Sequence, residues 1–124
     1  MVTPSVGAVV LVPFPFSDLS EAKLRPAVAL ADAGRGDWIL CQVTSNRYGD
    51  PRAVQLTPAS FGSGSLRTDS YARPGKLFTA SRELMVSQVA ILTADARDRV
   101  IDAVVQILHG RGGKGGRGVA GDPD

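Results

Sequence analysis

Apolar residues in this chain fall in short blocks. Residues 8–12 (AVVLV) and 27–31 (AVALA) are apolar throughout, and 38–44 (WILCQVT) and 53–56 (AVQL) are nearly so. Apolar and β-branched blocks bounded by Gly, Pro, Asp or Asn predict strands, here over 7–12, 25–31, 38–44 and 53–56. The polar cluster at 32–37, DAGRGD, predicts a tight hairpin turn between the second and third of these. Residues 71–79 predict a strand interrupted at Pro74-Gly75, and 88–92 a further short one, whereas the Gly- and Ser-rich 61–65 predict an exposed loop. Near the C-terminus the period changes. Ile101, Val104, Val105 and Leu108 fall at i, i+3, i+4 and i+7, an apolar stripe suited to docking a helix on a sheet. Thr93 or Asp95 can cap that helix and Gly110 fits its left-handed C′ position; residues 81–85 add a helical turn. The expected fold is mainly β with a C-terminal helix, the short strands bent into a small antiparallel barrel.

The most informative segment joins the first two blocks. It ends in Lys23-Leu24-Arg25-Pro26, and the residue before a proline is pushed into extended geometry. Arg25 is therefore expected at the first residue of a strand, its backbone fixed by Pro26 and its side chain at the lip of a sheet. A cation held there beside a loop suits a phosphate. The third block ends in hydroxyl and amide groups, Thr44, Ser45 and Asn46.

Composition narrows the class. The chain has 124 residues, 44% hydrophobic and 21% charged, as expected of one folded domain with a single modest core. No apolar run approaches the roughly 20 residues that span a bilayer, and the start lacks the basic and apolar regions of a secretory signal. The single cysteine, Cys41, excludes an internal disulfide, fits a reducing cytoplasm, and reads as a small core side chain rather than a nucleophile. Net charge is +2 and the pI is near 9.0. The excess is concentrated: Arg47, Arg52, Arg67, Arg73, Lys76 and Arg82 stand against only Asp50 and Asp69 between residues 44 and 82. Such a stretch suits a polyanion site, although charge alone is equally served by a solvated surface.

Several chemistries are missing. His109 is the only histidine and lies at the predicted helix end, which excludes a two-histidine acid–base ribonuclease. No Cys/His cluster has zinc spacing, the carboxylates are scattered, and neither a phosphate-binding Gly-rich loop nor a Gly-x-Ser-x-Gly elbow occurs. Catalysis, if present, is expected to use neither metal nor cofactor.

The order of motifs carries a family resemblance. The segment ending in Lys23-x-Arg25-Pro26-Ala27-Val28, followed by a strand ending in Gln42-x-Thr44-Ser45, resembles the MazF/PemK toxins of type II toxin–antitoxin modules, and the run from Asp69-Ser70 through Arg73-Pro74-Gly75-Lys76 to Thr79 is similar to that family's third motif. The likeness spans roughly residues 6–109. It implies an SH3-like small antiparallel barrel of the MazF/CcdB type over residues 1–109; residues 110–124, rich in Gly and Arg, are expected to form a disordered tail. It also implies a sequence-selective, metal-independent endoribonuclease that inhibits growth. In such an enzyme the ribose 2′-hydroxyl attacks the adjacent phosphorus of single-stranded RNA and leaves a cyclic phosphate. Arg25 and Thr44 match the family's catalytic residues. RNA contacts are expected from Phe16, Ser17, Asp18 and Lys23, in or beside a loop that covers the groove, and from Ser45, Asn46, Ser70, Arg73 and Lys76. Glu21, the nearest match to an acidic residue of the family's loop, is given no role. Phe14 and Trp38 are expected in the core. The resemblance further implies a cytoplasmic homodimer, without membrane contact, neutralised by a cognate antitoxin whose acidic, partly disordered tail occupies the basic groove. A gyrase-inhibiting toxin of the same fold and a non-catalytic RNA-binding module are the alternatives.

Overall fold

The computed structural model describes residues 2–15 and 22–111. Seven strands, β1 (Ala8–Pro15), β2 (Ala22–Gly34), β3 (Asp37–Thr44), β4 (Val54–Leu56), β5 (Phe61–Gly64), β6 (Ser70–Ser81) and β7 (Ser87–Leu92), precede one helix, α1 (Ala94–Leu108). The strands form one antiparallel sheet in the order β4-β6-β3-β2-β1-β7-β5. The edge strands β4 and β5 are consecutive in the chain, joined through a 3-10 turn at Pro58–Ser60. Laid flat, seven strands would set those edges about 29 Å apart. The connection from Leu56 to Phe61 reaches no more than about 18 Å. The sheet must therefore curl until its edges approach, which gives a nearly closed barrel.

The middle strands are buried on both faces, which is why they read as unbroken apolar runs rather than as alternations. Val9, Val28, Leu30, Cys41 and Val43 point into one cluster with Leu56, Ala72, Leu92 and the helix residues Ala96, Val100 and Val104. Their sequence neighbours Ala8, Val10, Val12, Ala27, Ala29, Trp38 and Leu40 form a second cluster with Met85 and the partly buried Phe78. Phe14 stacks at a tilt on Phe78, with centroids 5.3 Å apart.

The hairpin at 32–37 forms as its turn residues require: Arg35 and Gly36 both have positive φ, and β2 pairs β3 on either side. Four expectations change. Strand β2 begins at Ala22 rather than Arg25, because β1 runs on through Pro15 and pairs Phe14 with Lys23. Residues 61–64, expected as loop, form β5 against β7, since Phe61 packs on the core and small residues let the backbone approach. Strand β6 runs through Pro74-Gly75. The interruption appears instead in its pairing, where two steps on β3 (Cys41 to Val43) match five on β6 (Leu77 to Ala72). The helix docks through only part of the expected stripe. Ala96, Val100 and Val104 are buried with Ile101 partly so, while Val105 and Leu108 are 41% and 72% exposed. Ala96 and Val100 carry the contact toward the start of the helix, and Val105 and Leu108 turn outward.

Helix α1 starts at Thr93, whose Oγ1 accepts from Ala96 N–H at 3.1 Å, a cap worth about 1 kcal/mol. Gly110, at φ 72°, ends it as expected, and Arg82–Leu84 forms a 3-10 turn. Among the described residues no helix is long and apolar enough to cross a membrane.

Candidate active site

Strand register brings the two candidate catalytic residues together. Ala27 pairs with Gln42 and Val28 with Cys41 on β3. Carried two residues further, the same register sets Arg25 across from Thr44. On its other side Arg25 pairs with Val12 of β1, and Thr44 pairs with Tyr71 of β6. A slip of one residue would turn the two side chains to opposite faces, so their meeting depends on the pairing of β2 with β3.

Arg25 and Thr44 line one cleft of about 420 Å³. Leu11, Leu24, Pro26 and Val43 form its apolar part. Ser45 extends it past the end of β3, and Leu66, Arg67, Thr68 and Ser70 complete its lining. The lining therefore holds two guanidinium groups and four hydroxyls. Arg67 is exposed and enters no ion pair among the described residues. Two of the hydroxyls are held by hydrogen bonds. Thr44 Oγ1 accepts from Asn46 N–H at 3.1 Å, which leaves its own proton to be donated outward. Ser70, nearly buried, donates to the Thr68 carbonyl at 2.9 Å and so fixes the wall that carries Arg67.

Of the residues expected to touch RNA, Ser45 and Ser70 join Arg25 and Thr44 in the cleft; Lys23, Asn46, Arg73 and Lys76 do not line it. Lys23 is exposed on β2 and Lys76 on β6. Asn46 shapes the loop after β3, its Oδ1 accepting from Tyr48 N–H at 2.8 Å. Arg73 is drawn to Asp50, Nε to Oδ2 at 3.2 Å. Phe16, Ser17 and Asp18 lie outside the described residues, as do the rest of the loop at 16–21 and the tail from 112 onward. Sequence reasoning missed Arg67, Thr68 and the apolar lining. Arg67 stood in the basic stretch, but nothing in its spacing from Arg25 indicated that the two converge.

Cys41 is fully buried, its Sγ donating to the Arg73 carbonyl at 3.2 Å. Burial pushes its thiol up to about 12, so at neutral pH it is a protonated core side chain and no nucleophile. Among the described residues no three His, Cys, Asp or Glu side chains converge as metal ligands.

Residues 5–108 match the family of "PemK-like, MazF-like toxin of type II toxin-antitoxin system". No curated protein sequence gave a match. Among solved structures the chain is similar to one from the MazE-MazF complex (Form-II) of Deinococcus radiodurans, with a TM-score of 0.69 and 24% identity over 88% of this chain and 98% of that one. It is similar to an endoribonuclease in complex with its cognate antitoxin from Mycobacterial species (TM-score 0.67, 15% identity, covering 88% and 96%). It is also similar to Mycobacterium tuberculosis toxin MazF-mt6 (TM-score 0.64, 14% identity, covering 82% and 96%). At these identities the likeness shows a shared fold.

Proposed function

The chain belongs to the PemK-like, MazF-like toxin family of type II toxin–antitoxin systems, and from that premise we propose that its cleft cleaves single-stranded RNA. The observation that carries this reading is the convergence of Arg25, Thr44 and Arg67 on one cleft. RNA brings its own nucleophile. The 2′-hydroxyl oxygen bonds to the adjacent phosphorus and gives up its proton, the bond to the 5′-oxygen breaks, and that oxygen takes a proton. The products are a 2′,3′-cyclic phosphate and a 5′-hydroxyl. What the protein must supply is alignment and stabilisation of the extra negative charge on phosphorus. Arg25 grips the non-bridging oxygens with a planar pair of N–H donors. Thr44, with one lone pair already held by Asn46 N–H, donates its proton to the same phosphate. Arg67, in the same lining, meets the phosphate or its neighbour as a second cation. Guanidinium and hydroxyl groups bind a phosphate directly, so the reaction we propose is metal-independent.

Unpaired RNA is the proposed substrate because its base edges are open to hydrogen bonding, which lets loops beside the cleft select sequence. The proposed assembly is a homodimer whose surface includes the exposed apolar Leu24, Leu77 and Leu108. The proposed regulator is a cognate antitoxin with an acidic segment that competes for the basic groove; two of the similar structures were solved with antitoxins or as MazE-MazF complexes.

The test is incubation of purified protein with long single-stranded RNA in EDTA. Discrete cleavage is expected, and it should be lost with Arg25→Ala and with Thr44→Ala; intact RNA with the unaltered protein would contradict the proposal. Arg67→Ala is expected to lower kcat/KM about tenfold and to reduce the salt slope of RNA binding by about one. A loss of activity in Arg67→Ala with the salt slope unchanged would remove Arg67 from phosphate contact.

A further inference from the structure

The loop after β3 carries a feature that cleavage chemistry does not use. Tyr48 and Gly49 both have positive φ, 55° and 69°, and Asp50 N–H returns to the Arg47 carbonyl at 2.9 Å, the arrangement of a type I′ turn. Gly suits the second central position, but a bulky residue at the first is strained where Asn or Gly would not be. The strain is held in place locally. Asn46 Oδ1 accepts from Tyr48 N–H at 2.8 Å, and Asp50 Oδ1 accepts from Arg52 N–H at 2.9 Å.

The Tyr48 side chain is 62% exposed. One side of its ring is met by the Arg73 guanidinium, 5.2 Å from the centroid, and Arg73 is itself pinned by Asp50 at 3.2 Å. Two residues back on β6, the ring of Tyr71 is met by Arg47 at 5.8 Å. Loop and strand thus exchange two cation–ring contacts. The Arg73 contact occupies one face of the ring, and the residue as a whole stays largely in solvent. An aromatic face backed by an immobilised cation, open on the other side and flanked by exposed Arg47 and Arg52, combines the ring and positive charge of a single-strand stacking site. Asn46 N–H donates to Thr44 Oγ1 and Tyr48 N–H to Asn46 Oδ1, which ties the turn that carries this ring to a residue that lines the cleft.

We propose that Tyr48 is a stacking platform for an RNA base flanking the scissile phosphate, with Arg73 as its positioning residue. The proposal rests on the reading of the cleft as an RNA site. It adds a determinant of affinity and of cleavage position that lies outside the reacting groups.

Binding of a short single-stranded RNA, 2′-O-methylated so that it lacks the nucleophile, tests this in Tyr48→Phe, Tyr48→Asn and Arg25→Ala proteins, with thermal melts alongside. Tyr48→Asn is expected to bind about tenfold more weakly. Its melting temperature should be equal or higher, because Asn fits the turn. Tyr48→Phe should bind as the parent does. On cleavable RNA, Tyr48→Asn should raise KM and redistribute cleavage among positions while kcat at saturation stays near the parent value. Undiminished binding by Tyr48→Asn, or loss of binding by Tyr48→Phe, overturns the platform; with cleavage still dependent on Arg25, the cleft reading would stand. Failure of the parent protein to bind RNA overturns both. RNA that is bound through Tyr48 but never cut would overturn the cleavage reading and, with it, the placing of the stacked base beside a scissile phosphate.

Discussion

Replacing Arg25 with alanine is expected to lower the rate of RNA cleavage by about a thousandfold, with little change in melting temperature. The charge that develops on phosphorus has to be met by donors already in place, and removal of one such donor typically costs about a hundred- to a thousandfold. Arg25 combines full charge with two parallel N–H groups, so its loss belongs at the upper end. Its side chain is exposed at the cleft, which is why stability should hold. Arg25→Lys keeps the charge and loses the fork; it should recover only part of the rate. Thr44→Ala should cost about a hundredfold, but it also removes the acceptor for Asn46 N–H. Thr44→Ser, which retains both hydrogen bonds, separates the two effects and should stay close to the parent. If both residues act on one phosphate, Arg25→Ala/Thr44→Ala should lose less than the product of the two single losses. Single-turnover kinetics on a labelled RNA measure each of these.

Gly64→Ala is expected to destabilise the fold by about 2–4 kcal/mol, read from urea denaturation. Gly64 has φ 66°, and a Cβ there would stand 2.2 Å from the Val89 carbonyl oxygen and 2.8 Å from Ala90 Cα. These neighbours are backbone of β7, which cannot step aside without breaking its pairing with β5. The position also matters for the cleft. Residues 65–70 leave β5 at Gly64 and carry Leu66, Arg67, Thr68 and Ser70 into the lining of the cleft. Activity should therefore fall together with stability. Gly62→Ala is the control: its Cβ would meet only carbonyl oxygens at 3.7 and 4.0 Å, so a change of less than about 1 kcal/mol is expected. A Gly64→Ala protein that unfolds at the parental midpoint would show that β5 does not dock as described.

The parts of the fold legible in the sequence are those where a local pattern and the final environment agree. Residues 8–12 and 27–31 are apolar because both faces of β1 and β2 are buried, and Thr93 and Gly110 delimit α1 by their own backbone chemistry. The place of Thr44 at the end of β3 was legible in the same way, whereas Arg25, expected to open β2, is its fourth residue. What was not legible arises from contacts distant in sequence. The composition of β5 is that of a turn, and only its pairing with β7, more than twenty residues further on, makes it a strand. The docking face of α1 was legible in part: Ile101 and Val104 of the apolar stripe meet the core, but Ala96 and Val100 carry the rest of the contact in place of Val105 and Leu108.

The candidate site follows the same division. Arg67 reaches the cleft only because the segment that carries it crosses over once the sheet has curled, so no spacing from Arg25 could announce it. Conversely, Arg73 lay inside a matching motif, yet the nearby Asp50 carboxylate holds it outside the cleft lining. Tyr48 gave no periodic signal, because its exposure depends on a left-handed backbone in a turn.

The most direct measurement uses two otherwise identical RNA oligonucleotides in EDTA, one all-ribose and one with a single 2′-deoxynucleotide on the 5′ side of the cleaved bond, their products identified by mass. The all-ribose strand should yield a 2′,3′-cyclic phosphate and a 5′-hydroxyl, while the substituted strand remains intact at that bond. Cleavage of the deoxy-substituted bond would contradict attack by the 2′-hydroxyl in a cleft held by Arg25 and Thr44.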